Sequence, residues 1–298
     1  MLRLGIVDGD TSHVYQFSRR INHVDIEAEQ WVDGARVVAA WVGPSRVTSP
    51  ERVREYVSAM QAAGVELVDR PEDLIGQIDA VLIESNEGGV HRERALPFIE
   101  AGLPTFIDKP LASSVEDAVA LVEAADRTGI PLLSASALRF AADVVNARDD
   151  ASIGRILGAH VYSPAHLHEA NPGLFHYGVH GVEMLYALLG AGCREVSCIF
   201  SDDAEVVTGR WDDGRLGELR GIRTGADGFG LTAFGDTGIS TVAVDTTFMY
   251  RDLLRQVIAV LSGNAPSIPA RELVEVVAFQ VAALESIRRR GELVPISW

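Results

Sequence analysis

Lysine is almost absent from this chain. Of 26 basic residues only Lys109 is a lysine; the rest are arginine. Positive charge as a whole is short, since 42 acidic residues leave a formal net charge of −16. That deficit argues against nucleic acid or an anionic membrane surface as a partner, because both need a basic face. Cysteine is limited to Cys193 and Cys198, which excludes a disulfide framework and points to a reducing compartment. The pair reads most simply as two packed thiols. No apolar run approaches the ~20 residues needed to cross a bilayer, and the N-terminus enters a strand without a signal-peptide pattern. A cytoplasmic protein is the expectation. The rest is ordinary: 298 residues, 47% hydrophobic and 23% charged, typical of a globular protein with about two domains.

The first half alternates short apolar runs with helical segments. Strands are expected at Leu2–Val7, Ala35–Val42, Val65–Val68, Ala80–Ile83, Thr105–Ile107 and Ile130–Leu133, with helices between them. Strands alternating with helices predict a parallel sheet covered on both faces, so residues 1–136 read as a doubly wound, Rossmann-like dinucleotide-binding domain. Residues 137–298 change character. A helix over Val179–Leu189 precedes five strand-like runs between Glu195 and Thr246, separated by turns such as Asp212-Asp213-Gly214, and two helices close the chain. This predicts an α+β domain around a large, mainly antiparallel sheet, a meander, suited to substrate binding and oligomerisation. The fold class is therefore α/β with a second α+β domain. Such a sheet leaves one face to solvent, substrate or another subunit, and a homodimer or homotetramer is expected.

The lone lysine stands in Asp108-Lys109-Pro110, at the carboxyl end of the Thr105–Ile107 strand, where open α/β sheets bind ligands. An ammonium whose pKa shifts readily on burial suits proton transfer; a chance surface charge in an Arg-biased chain is the plainer reading. The first strand–helix turn, Asp8-Gly9-Asp10-Thr11-Ser12-His13, departs from Gly-x-Gly-x-x-Gly at all three glycine positions. Two carboxylates there would repel a pyrophosphate, and Asp10 is a candidate helix cap. After the second strand, Ser45 and Arg46 would suit a 2′-phosphate, or form a plain surface turn. The loop after Ala80–Ile83, carrying Ser85, Asn86 and His91, is placed to line a cleft.

Five of the eight histidines, His160, His166, His168, His176 and His180, fall in one segment. With a helix starting near Phe175, His176, His180 and Glu183 would share one face. Imidazole suits proton transfer near neutral pH. The set His166, His168, His176, His180 and Glu183 would alternatively hold a divalent metal, or be partly buried, hydrogen-bonded structural histidines.

Over essentially its whole length the chain resembles the glucose-fructose oxidoreductase / inositol dehydrogenase / MocA (Gfo/Idh/MocA) family. Asp108-Lys109-Pro110 matches the family's Glu-Lys-Pro after a Rossmann strand. His176-x-x-x-His180-x-x-Glu183, running on to Leu188-Leu189-Gly190, is similar to its Asp-x-Gly-x-His-x-x-Asp helix. The loop ending in His91 is one residue longer than the family's and lacks its Thr-Pro-Asn. The resemblance implies NAD or NADP as cofactor and a small hydroxylated substrate (sugar, polyol or inositol-like). It also implies His180 taking the hydroxyl proton, Lys109 polarising the oxygen, Asp108 orienting Lys109 and Pro110 fixing the turn. The replaced glycines, and His176 in place of an acid, leave two other readings: a non-enzymatic ligand sensor, and a metal-using lyase, isomerase or hydrolase.

Overall fold

The computed structural model describes residues Met1–Trp298, whose contacts divide the chain into two compact units. The first comprises Met1–Ala112, Asp117–Ala135 and Tyr250–Ile268; the second comprises Ser136–Met249 and Pro269–Trp298 with the short piece Ser113–Glu116. The chain thus returns to the first unit late, where the sequence suggests one uninterrupted second domain over 137–298.

In the first unit, β1 (Leu2–Val7), β2 (Ala35–Trp41), β3 (Glu66–Leu67), β4 (Ala80–Ile83), β5 (Thr105–Asp108) and β6 (Leu132–Ala135) form one sheet in the order β3-β2-β1-β4-β5-β6. All pairings are parallel. The crossovers carry α1 (His13–Ile21), α2 (Pro50–Ala62), α3 (His91–Glu100) and α4 (Val115–Thr128). β4 is Ala-Val-Leu-Ile with every residue fully buried, as a central strand covered on both faces requires. α2 starts where its side chains dictate: Ser49 accepts the Arg52 N–H, and Pro50 takes the first turn, where its missing donor costs nothing. The strand order reverses between β1 and β4. The crevice at their carboxyl ends is the binding position of an open α/β sheet.

The second unit holds α5 (Ala142–Asp149), β7 (Ile156–Pro164), α6 (Val179–Leu189), β8 (Cys193–Phe200), β9 (Ala204–Trp211), β10 (Leu216–Ile222), β11 (Gly230–Gly235) and β12 (Ile239–Ala243). After α7 (Met249–Leu261), which lies almost wholly in the first unit, α8 (Ala270–Arg288) and β13 (Val294–Pro295) complete it. Its sheet order is β12-β11-β7-β10-β9-β8-β13. The expected meander is therefore interrupted: β7 inserts between β10 and β11, parallel to the first and antiparallel to the second. β7 buries Ala159, Val161 and Ser163. Flanked on both sides, this long strand leaves no row of unpaired backbone groups.

α6 lies tightly on that sheet. A Cβ built at Gly181 would come 2.3 Å from Leu219 Cδ1 and 2.6 Å from Ser163 Oγ, so a side chain there would force those side chains or the helix to shift. Every residue of α6 is buried, and Gly190 at φ 65° ends it. Tyr186 packs 5.7 Å from Trp211 and 5.9 Å from Phe279, ring centre to centre. Cys193 and Cys198 are buried free thiols whose burial pushes both up to about 12, which keeps them protonated and inert. On the outward sheet face Leu216, Phe234 and Ile239 are exposed. No helix is long and apolar enough to cross a membrane.

Candidate active site

At the carboxyl end of β1 the irregular turn has a defined job. Asp8 adopts φ 72°, a left-handed conformation normally left to glycine. Its Oδ1 accepts the Gly43 N–H at 3.0 Å, and its Oδ2 accepts the Ser85 hydroxyl and, at 3.1 Å, Arg94 Nε. Asp10 accepts the Ser45 hydroxyl at 2.6 Å and the Asn86 N–H at 2.8 Å. Thr48 donates to the Asp10 carbonyl at 2.6 Å. Burial raises the Asp10 carboxyl above its usual range, against the pull of the Ser45 and Asn86 donors. The two carboxylates thereby knit together three loops at the strand ends.

Asp10 does not cap α1. The position before the helix is Ser12, which makes no side-chain cap, while Thr11 Oγ1 accepts the His13 N–H at 3.4 Å. Gly9 packs into the second strand's flank, where a Cβ would meet Val42 and Val57 at 3.1 Å. Arg46 pairs with Glu87 through Nε at 2.9 Å. Ser45 and Arg46 are thus both engaged by carboxylates. The convergence of backbone N–H groups, hydroxyls and a guanidinium fits the donor chemistry of a dinucleotide's phosphates. Here Asp8 and Asp10 are the anions those donors hold.

Lys109 is buried, 7% exposed, and joined to Pro110 by a cis peptide bond. His91 is tied into the backbone by both ring nitrogens. It is fully buried at the start of α3, Nδ1 2.7 Å from the Pro110 carbonyl and Nε2 2.8 Å from that of Ser85, and so ties the β4 loop to the Lys109-Pro110 turn. The Lys109 ammonium does not hydrogen-bond the Asp108 carboxylate; the carboxylate faces His13, with Oδ2 2.7 Å from Nδ1. The expected orientation of Lys109 by Asp108 is replaced by this pairing. Burial pushes Asp108 up, but the charges of His13 and Lys109 outweigh it and hold the carboxyl far below its usual range. Glu84, at the end of β4, is pushed well up by burial and by the Asp108 charge, with Lys109 pulling the other way.

In the second unit α6 begins at Val179, not near Phe175. Gly173–Phe175 form a separate 3₁₀ turn, with Gly173 at φ 58° and Gly178 seated against Leu174. His176 therefore lies outside the regular helix and does not share a helical face with His180 and Glu183. His180 is buried at 8% exposure, with Nδ1 2.6 Å from Ser136 Oγ. Ser136 in turn accepts the Leu138 N–H at 3.1 Å, which fixes the hydroxyl. Tyr177 packs edge-on to the His180 ring at 4.9 Å.

Glu183 is held by Arg139, whose Nε lies 2.5 Å away; Arg139 Nη1 reaches Glu272 at 2.6 Å. His168 closes a short turn, accepting the Ala170 N–H at 3.2 Å. His166 is half exposed, 3.9 Å from Asp227. His160 faces Glu218 at 2.8 Å on the outer sheet face. The alternative metal set His166, His168, His176, His180 and Glu183 does not come together as three ligands, although the His168 and His176 rings lie 5.2 Å apart; the one group of three metal-ligating side chains is His13, Glu84 and Asp108. Ser136, Arg139, Glu84 and Arg94 escape sequence reasoning. Only Glu84 leaves a local signal, a lone acid directly after a purely aliphatic strand.

Residues 42–135 match the model of the Gfo/Idh/MocA oxidoreductase family, with an NAD-binding Rossmann fold. A 1,5-anhydro-D-fructose reductase of Ensifer adhaerens is 31% identical over 252 residues, covering 77% of this chain and 74% of the relative. An inositol 2-dehydrogenase of Saccharopolyspora erythraea is 32% identical over 169 residues, 53% of this chain and 48% of its own. Among solved structures, myo-inositol dehydrogenase from Lactobacillus casei, in complex with NAD(H) and myo-inositol, superposes at TM-score 0.81. It is 16% identical, over 100% of this chain and 97% of that one, so it speaks for the fold.

Proposed function

Since the chain belongs to the Gfo/Idh/MocA family of oxidoreductases, we propose that it is an NAD(P)-dependent dehydrogenase or reductase. Its substrate would be a hydroxyl-bearing carbon of a small polyol, sugar or inositol-like molecule. The observation that carries this reading is Lys109: the sole lysine, buried at the carboxyl end of β5 in the Asp-Lys-Pro turn. The nicotinamide cofactor supplies the hydride exchange. His180 takes or returns the hydroxyl proton, its ring held by Ser136. Lys109 polarises the substrate oxygen, and His91 fixes the turn that presents it. The donors gathered at Asp8 and Asp10, with Ser45 and Asn86 among them, are those that would receive the cofactor's phosphates.

The test is a calorimetric titration with NADH and NADPH separately, on the wild type and on Asp10→Gly. Saturable binding of one cofactor by the wild type is expected, and binding of neither would remove the redox reading. Asp10→Gly frees the Ser45 hydroxyl and the Asn86 N–H and removes a buried negative charge. It is expected to bind the same cofactor about tenfold more tightly, worth ~1.4 kcal/mol. Unchanged or weaker affinity would mean that Asp10 holds the loops in their binding shape.

We also propose that a second copy covers the outward sheet face, where Leu216, Phe234 and Ile239 stand exposed beside Thr232 and Thr241, giving a homodimer or homotetramer. A monodisperse monomer in light scattering at micromolar concentration would contradict this.

A further inference from the structure

The first unit contains a group of ionisable side chains that the proposed redox chemistry does not use. His13 stands at the start of α1, Glu84 directly after β4 and Asp108 at the end of β5. Each offers one ligand atom, and the three atoms lie within 4.8 Å of one another. All three residues are buried, at 7%, 0% and 1% exposure. His13 Nδ1 is 2.7 Å from Asp108 Oδ2 and 3.9 Å from Glu84 Oε2. No side chain outside the group hydrogen-bonds either Glu84 oxygen, either Asp108 oxygen or His13 Nδ1. Folded proteins rarely leave buried polar atoms in that state, and each such atom calls for an explanation. Two buried carboxyl groups side by side are costly unless a cation or a proton compensates them. Lys109 follows Asp108 in the chain, but its ammonium donates to neither carboxylate.

We infer that His13, Glu84 and Asp108 form a binding site for a divalent transition-metal ion, Zn²⁺ being the best match. An imidazole nitrogen with two carboxylate oxygens is a ligand set that zinc accepts, while Mg²⁺ and Ca²⁺ prefer oxygen alone. Tetrahedral ligands at ~2.0–2.2 Å from zinc lie about 3.4 Å apart, and the observed separations of 2.7 and 3.9 Å straddle that value. The ion satisfies the unpartnered oxygens and staples the first strand–helix turn to the ends of β4 and β5. Three protein ligands leave a fourth position open. None of these ligands belongs to the histidine segment His160–His180, and the zinc test needs no cofactor.

The experiment uses full-length protein made without a polyhistidine tag, stripped with chelator and then dialysed against Zn²⁺ alone. About one zinc per chain is expected, with a rise in the melting temperature on loading. The near-isosteric Glu84→Gln and the His13→Ala variant are each expected to bind zinc at least ~100-fold more weakly and to lose the rise. A His166→Ala/His168→Ala double variant is expected to bind as the wild type does. The wild-type stoichiometry decides even if a variant fails to fold: absence of saturable zinc overturns the site. So does undiminished binding in Glu84→Gln and His13→Ala, or loss of zinc in the His166/His168 variant.

Discussion

Turnover is expected to fall by about 10²–10⁴-fold in Lys109→Ala and, separately, in His180→Ala, with both variants folded. His180 is the better placed of the two for proton transfer. Its ring is buried and held through Nδ1 by Ser136, whose own hydroxyl is fixed by the Leu138 N–H. A group so held spends no reorganisation at the moment of reaction. Ser136→Ala is expected to lower turnover less than His180→Ala, because the imidazole remains but its orientation loosens. For Lys109 the informative partner is Lys109→Arg, which keeps the charge and loses the compact, titratable ammonium; it is expected to stay nearly as impaired as the alanine variant. Steady-state rates with the cofactor chosen by calorimetry are the measurement, with circular dichroism as the check on folding. Wild-type turnover in either alanine variant would strike that residue from the catalytic set.

Arg139→Ala is expected to cost about 3–5 kcal/mol of stability at pH 7. The guanidinium sits between Glu183 of α6 and Glu272 of α8, all three side chains at or below a tenth exposed. Removing it leaves two buried carboxylates facing each other without a cation. The loss should shrink as the pH falls, and the sign follows from Glu183. Burial already raises its carboxyl above the usual range even with Arg139 present. For a group whose folded pKa is raised, stability is fullest below the unfolded value and is lost as pH rises through the folded one. Without Arg139 that folded pKa climbs further, so the variant recovers stability on acidification sooner than the wild type. Urea unfolding at pH 7 and pH 5 reads both effects. A loss under ~1 kcal/mol at pH 7 would place this triad with surface ion pairs of little worth.

The elements that followed from local chemistry were legible. Ala80–Ile83 reads as an interior strand, and Leu188-Leu189-Gly190 marks the end of α6. Strand order was not legible: β7 pairs with β10 and β11 across long stretches of chain, and nothing within β7 names its partners. Spacing alone carries a helix back through His176, but a separate turn at Gly173–Phe175, with Gly173 at φ 58°, precedes α6, which begins at Val179. In the site, the sequence presents Asp8 and Asp10 as obstacles to an anion. Their sequence shows the charge but not the donors that meet it from Gly43, Ser45, Ser85, Asn86 and Arg94. His13, Glu84 and Asp108 come from three separate strand ends, so their meeting is a property of the sheet alone.

The burial of Lys109 makes the chain its own reporter. Apart from the terminal amine, it holds one amino group that acylating reagents can modify, and the fold shields it. Amine-directed mass labelling therefore yields a nearly silent native protein and a single internal mark when the first unit opens. The extent of that mark over time reports the fraction of chains that have opened around β5, with no engineered probe. Protection of the same mark by a bound dinucleotide would register occupancy without any turnover.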